Sequence, residues 1–464
     1  MENNKSFWID NFEIEDFKTL DDDITVEVCI IGAGITGLST AYYLAKNGID
    51  VVVLEKDTIA SKTTGHTTGK ISIQHGIFYS YLVENYGINY AKRYALANSE
   101  ALKRIEDIIE TEEIECDYET RDSIVFSENP QKYSVLQEEA RISKNLGIDS
   151  EFITKIELPI IIQGGVKFKN QAQFNPIKYV NGICKALINK NVSIYENTKV
   201  IDYKNSGNKI RIIADNGENT VSVIAENVVV ATRYPIFDFP GMYFLKNYQE
   251  LEYAVCAEVN ENIENMPMYL NADNPSISFR TAIRENKRYL LAIGNGAKTG
   301  EKIGKDEYSI IEDKIRKCFG DFIIKNKWTA EDVISLDKIP YIGRYTKMSS
   351  KIYVATGFKK WGMSFSNVAA SIISDEILNQ KNKYSVLFNS SRINPIKNRE
   401  EFSNMISTTC KNLLKDSNHI CSHLGCKTVF NETTNTWECP CHGSRYDNKG
   451  NLIDGPSQKH MKTK

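Results

Sequence analysis

The chain has no excess of basic charge. Its 57 Lys and Arg stand against 60 Asp and Glu, a formal net charge of −3, so it offers no footprint for a nucleic-acid backbone. It has no apolar run long enough to span a bilayer. Its opening stretch, MENNKSFWIDNFEIEDF, is acidic, unlike the basic and then apolar leader of a secreted chain. A soluble cytoplasmic protein is the expectation. A secreted disulfide framework is also missing. Of ten cysteines, Cys29, Cys116, Cys184, Cys256, Cys318 and Cys410 stand singly and read as small buried hydrophobes. The other four crowd into the last tenth of the chain beside histidines, the pattern of a metal site. No clear catalytic acid or base stands out. The length, 464 residues, accommodates roughly two or three domains around a large core.

What is present is most concentrated between Ile24 and Glu55. Val26, Val28, Ile30 and Ile31 form a β-branched run suited to a strand covered on both faces. Gly32-Ala33-Gly34-Ile35-Thr36-Gly37 follows at once, then a helix with an apolar face ending at Gly48, a second strand over 51–54, and Glu55. Gly32 permits the tight turn, Gly34 lets a pyrophosphate approach the backbone, and Gly37 lets helix and strand pack closely. Glu55 stands where a carboxylate accepts hydrogen bonds from an adenosine ribose, which favours FAD or NAD.

Residues 1–23 read as an arm packed on the body through Phe7, Trp8, Phe12 and Phe17. The 57–76 stretch, rich in hydroxyls and glycine with two histidines, fits a loop around a phosphate or ring system. A long amphipathic helix is expected from Tyr86 to Glu113, with an apolar stripe through Tyr90, Tyr94, Ala97, Ala101, Ile105 and Ile109. Asn175-Pro176 opens a further helix to about Ile188. A β-meander turning at Ser206-Gly207 and Asn216-Gly217 ends in the buried strand Val228–Thr232. Residues 236–335 return to mixed strand and helix, with Tyr289–Ile293 leading into a glycine-rich turn. Near the end, KIYVATGFKKWGMSFSN is a strand, a second glycine turn and a helix.

These pieces in this order, IIGAGITG with Glu55, NTKVIDY, VVVATRYPI, IPYIG and ATGFKKWGMSFS, resemble the D-amino-acid-oxidase-like FAD-dependent oxidoreductases. The resemblance implies an α/β protein: a glutathione-reductase-type FAD-binding fold (24–100, 175–235, 336–388) interleaved with a mixed-sheet substrate domain (101–174, 236–335), together residues 1–392. It implies FAD held by Gly32, Gly34, Gly37 and Glu55, with Val200 flanking adenine. Thr64, His66 and Thr67 of the 61–70 loop, and Gly357, Gly362 and Met363 of the second turn, would approach the flavin. Covalent attachment through His66 is a minor alternative to a structural role. Such enzymes oxidise an amine or amino acid by hydride transfer to flavin. Tyr253, Arg280 and Lys298 are weak candidates for substrate contact, since such residues are more often simply solvated. Ala297 stands where relatives tend to carry a histidine, so no substrate preference is borrowed.

After Ser391 the chain turns polar and basic, a linker (393–420) with a short helix. Then come Cys421-Ser422-His423 and Cys439-Pro440-Cys441-His442. Two Cys/His pairs on two loops suit a Rieske 2Fe-2S cluster: Cys421 and Cys439 on one iron, His423 and His442 on the other. The same residues could hold zinc. CSHLGC and CPCHGS closely resemble the Rieske family, and that resemblance implies a disulfide between Cys426 and Cys441. The β-rich unit, 421–464, is expected to be shortened, because few strands flank the ligand loops. Flavin and cluster together suggest electrons passed singly to the cluster and on to an acceptor, a protein or a quinone. Two alternatives are a peroxide-producing oxidase with a degenerate or zinc-binding tail, and a non-catalytic redox module.

Overall fold

The computed structural model describes residues 5–12, 14–301, 306–392, 399–414 and 417–463. Parts of the expected leader, substrate domain and linker (1–4 and 13, 302–305, 393–398 and 415–416) therefore lie outside the described residues.

Two large sheets carry the body. The first runs Tyr341–Arg344, Ile352–Thr356, Thr220–Val230, Ile24–Ile31, Val51–Leu54, Ser193–Tyr195. Four of these five pairings are parallel; Tyr341–Arg344 pairs antiparallel with Ile352–Thr356, and the meander strands Lys199–Ser206 and Lys209–Asp215 are appended antiparallel. In Ile24–Ile31 only the last four residues are buried on both faces; Thr25 and Glu27 leave the first half partly in solvent. That buried half ends at the glycine turn, so the fully covered part of the strand leads straight into the cofactor site. The helices Ile35–Lys46 and Gly362–Ile377, each following a glycine turn, pack against one another.

The second sheet has nine strands, with Phe322–Ser335, Asn247–Val259, Lys287–Lys298 and Ile277–Arg284 antiparallel in that order. Met268–Asn271 joins it in parallel to Glu119–Ser127, making the sheet mixed. The helix Glu307–Phe319 covers one face through Ile311 and Ile315, against Leu251 and Tyr253. This is the fold class implied by the family resemblance.

Three expectations change. The long helix begins at Ile88, because Gly87 at φ +86° separates it from a shorter helix, Tyr79–Tyr86. Its buried stripe is Ala91, Tyr94, Ala97, Ala101, Ile105 and Ile108, while Tyr90 and Ile109 sit at its edge. Gly294 and Gly296 are not in a turn but inside the strand Lys287–Lys298, where a side chain on Gly294 would strike the Ser276 carbonyl. Cys410 is exposed, unlike the five singly placed cysteines before it.

The tail forms a small unit. Val429–Asn431, Thr436–Glu438, Arg445–Asp447 and Leu452–Asp454 make a four-stranded antiparallel sheet, and His419–Ile420 pairs with Lys462–Thr463. Three short strands therefore follow His442 where one was expected. The core is Cys421, Cys426, Cys439, Cys441 and Tyr446, with Trp437, Leu452 and Met461 packed on it.

The tightest packing in the nucleotide layer is at Gly37, where a Cβ would lie 1.9 Å from the Gly32 carbonyl oxygen and 3.2 Å from Ile30 Cγ2. Backbone cannot yield as a side-chain end can. Gly37→Ala should therefore destabilise the protein by about 2 kcal/mol or more, lowering the thermal midpoint and the FAD content after gel filtration. Unchanged values for both would show that the turn tolerates the methyl.

Candidate active site and cluster site

A cavity of about 750 Å³ runs along the carboxyl ends of the first sheet's strands. Gly32, Gly34, Glu55, Thr64, Thr67, Val200, Gly357, Gly362 and Met363 line it, so two glycine turns and the 61–70 loop converge as the cofactor requires. Gly37 lies behind the wall, packing helix on strand. Glu55 accepts hydrogen bonds from the Ala33 and Asp57 amides at 2.8 and 3.1 Å, and burial raises its pKa. Thr64 Oγ1 accepts from the Ile35 amide at 3.1 Å, tying the loop to the start of the helix.

His66 is outside the cavity lining. Its Nδ1 is 2.8 Å from the Lys62 carbonyl, and its own carbonyl accepts from Trp328 Nε1 at 2.9 Å. Burial lowers its pKa. The arm completes this pinning: Phe7 and Trp8 are buried, Trp8 Nε1 donates to the Thr67 carbonyl at 2.6 Å, and Ser6 donates to that of Gly65. His66 thus stabilises the shape of the loop.

None of the substrate-contact candidates lines the cavity. Arg280 is 2% exposed and spends its guanidinium on the carbonyls of Thr68, Gly69, Phe174 and Thr281, at 2.6–3.1 Å. Tyr253 accepts from Asn431 Nδ2 of the small unit at 3.1 Å. Lys298 is half-buried, its pKa lowered by burial, with Cys439 close enough to act on it. All three are used for structure or at the junction with the tail.

Sequence reasoning missed several wall residues. Arg233 pairs with Glu331 at 3.0 Å and with Asp454 at 2.8 Å. Burial pushes the neighbouring Asp332 up to about 7 despite Arg233. Lys360, in the second glycine turn, pairs with Glu250 at 2.7 Å and Glu252 at 3.0 Å. No local periodicity marks any of these, because each partner lies far away in the chain.

The tail brings its four ligand candidates together. The first loop is closed by Cys421 N donating to the Cys426 carbonyl (2.8 Å), and the second by Gly443 N donating to that of Cys439 (2.9 Å). The Cys426–Cys441 disulfide joins the loops, with Cα atoms 6.7 Å apart. The His423 and His442 rings stand 5.0 Å apart, and the Nδ1 of each is buried without a hydrogen-bond partner among the described residues. Two orphaned imidazole nitrogens beside two buried thiols are the donor set a Rieske cluster takes. Burial, then His423 and Lys298, hold the His442 pKa down to about 3, which keeps the imidazole neutral, the form that would ligate a metal. Tyr446 Oη donates to Cys421 Sγ at 3.2 Å.

The body supports these loops from outside. Asp238 Oδ2 is 2.8 Å from His423 Nε2, which fixes the ring and leaves its Nδ1 as the nitrogen that would meet a metal. Gln249 Nε2 donates to the His442 carbonyl at 3.0 Å, and Gly300 N to Glu438 at 2.9 Å. Phe244 meets both imidazoles edge-on, with centroids 5.7 and 5.6 Å away.

A nucleotide cavity over a mixed sheet, with a four-ligand cluster cradle docked beside it, defines a flavin oxidoreductase that carries its own iron–sulfur unit. The family model for FAD dependent oxidoreductases matches residues 27–376, and the chain belongs to that family. The Rieske 2Fe-2S domain model matches residues 406–464. FAD and a 2Fe-2S cluster are its cofactors. YhfW of Bacillus subtilis (strain 168), named by inference a Rieske 2Fe-2S iron-sulfur protein, is 28% identical over 99% of this chain and 97% of its own length. Glycine oxidase from Geobacillus kaustophilus superposes with a TM-score of 0.66 at 16% identity, covering 80% of this chain and 99% of that one. L-proline dehydrogenase from P. horikoshii gives 0.67 at 17%, covering 80% and 98%. Among the described residues no helix is long and apolar enough to cross a membrane.

A hydrogen bond to a ligating thiolate stabilises the reduced, more negative cluster. Tyr446→Phe should therefore lower the reduction potential by roughly 50 mV, about 1.2 kcal/mol for one electron, in a redox titration followed by EPR. An unchanged potential would mean that the hydroxyl does not reach the cluster sulfur.

Proposed function

We propose that the protein is an amine or amino-acid dehydrogenase in which electrons pass from flavin to the Rieske cluster and then singly to an external acceptor, a protein or a quinone. FAD supplies a two-electron acceptor for the substrate's hydride, and the cluster a one-electron carrier. The observation that carries this reading is the short packed route between the two sites. Tyr234 and Val333 line the cavity and pack on Phe244, and Phe244 contacts His423 and His442. Asp238 and Gln249 hold the cluster loops against this route. The substrate class is supported by family membership and by the names of the two solved relatives, a glycine oxidase and an L-proline dehydrogenase.

The chemistry asks little acid–base work of the protein if the amine arrives unprotonated. The residues orient the substrate and exclude water while a C–H hydride leaves and the nitrogen loses a proton; water then hydrolyses the imine. A cytoplasmic setting fits the unpaired thiols of Cys29, Cys116, Cys184, Cys256 and Cys318.

Cys439→Ser, assayed with FAD in excess, should lose its iron yet still show anaerobic bleaching of the flavin by substrate. Reduction of a one-electron acceptor should fall at least tenfold. Acceptor reduction at the parent's rate in this variant would end the relay reading. Failure of every member of an anaerobic panel of amines and amino acids to bleach the parent's flavin would favour a non-catalytic redox module.

A further inference from the structure

The tail continues past the cluster loops into the flavin cavity. Leu452, Ile453, Asp454, Ser457 and Gln458 are all part of that cavity's lining. Three contacts fix them there: Arg233 with Asp454 at 2.8 Å, Lys62 Nζ to the Ile453 carbonyl at 3.5 Å, and Lys199 Nζ to the Gln458 carbonyl at 3.2 Å. They are spread along the groove, with Lys199 beside the adenine-flanking Val200 and Lys62 in the loop that approaches the flavin. Arg233 Nη1 is buried without a partner among the described residues, as suits a cavity wall built to receive polar groups.

This wall hangs on the cluster loops. Ser457 N donates to Ser444 Oγ at 3.2 Å, just after His442. Ser422, between Cys421 and His423, bonds through its hydroxyl to Ser457 Oγ and donates to the Lys459 carbonyl at 2.6 Å. Gly455, at φ +110°, lets the chain pass so close to Ser444 that a Cβ would lie 2.6 Å from its Cα. Both ligand loops therefore hold the segment that closes the FAD groove.

The geometry points to the Leu452–Gln458 segment as an FAD-binding element, so that FAD is sealed in by the docked Rieske unit and its retention depends on cluster occupancy. The cluster folds the two loops, the loops hold the wall, and the wall must lift for FAD to leave. FAD then has to enter before the unit docks. This coupling is independent of where electrons go.

The test uses the full chain loaded with FAD and iron, and follows FAD release by the recovery of free-flavin fluorescence after dilution. Asp454→Ala should release FAD at least tenfold faster while keeping the parent's iron content and EPR signal. Parent protein stripped of iron by a chelator under reducing conditions should also release FAD at least tenfold faster, and slow again on reconstitution with iron and sulfide. Release within twofold of the parent in both cases would overturn the inference. Should Asp454→Ala fail to fold, the iron-stripped parent decides: unchanged release overturns the inference and accelerated, reversible release supports it.

Discussion

Glu331 holds two arginines from opposite sides of a junction: Arg233 from the flavin layer and Arg445 from the cluster unit. Arg233 continues to Asp454, and Arg445 to Glu438 at 3.6 Å. All five side chains are at least four-fifths buried. Charges taken this far from water tolerate little disorder, since removing one partner strands another at about 3–5 kcal/mol. Burial works against the Asp454 carboxylate, yet Arg233, Lys56 and Lys62 hold its pKa well below the usual carboxylate range. This network sets the position of the small unit, and with it the distance between the two cofactor sites and the closure of the FAD groove.

The small unit also draws on the body for support. Its core amounts to four cysteines and Tyr446, with Trp437, Leu452 and Met461 around them, too little apolar surface to fold firmly without a staple. The disulfide and the cluster supply two staples. The body supplies a third, through Asp238, Gln249 and the Gly300 amide. Gly300 sits so close to Pro440 that a Cβ would lie 2.6 Å from its nitrogen. The second sheet thus serves as the supporting scaffold that the tail's short strands do not provide.

What was legible in the sequence was local chemistry. Gly32, Gly34, Gly37 and Glu55 are close in sequence because one strand–turn–helix unit must place them. Cys421, His423, Cys439 and His442 show themselves because metal ligation demands particular atoms on tight loops. The Asn175 cap reads for the same reason, its side chain accepting from the Ile177 and Lys178 amides. Contacts between Asp238 and His423, or Arg233 and Asp454, join residues about two hundred positions apart, and nothing local announces them. Arg280, Tyr253 and Lys298 carried reactive groups in a plausible region, but tertiary packing assigned them to carbonyls and to the junction. Gly294 looked like a turn because a glycine needed for close strand approach has no local signature to distinguish it.

The most direct test is intramolecular electron transfer. In anaerobic protein the flavin is photoreduced by one electron, and the reduced-cluster EPR signal is followed by freeze-quenching at several protein concentrations. The docked geometry predicts that the cluster signal grows as the flavin is reoxidised, at a rate independent of protein concentration. A rate that scales with concentration, or a cluster that stays oxidised beside a reduced flavin, would contradict it.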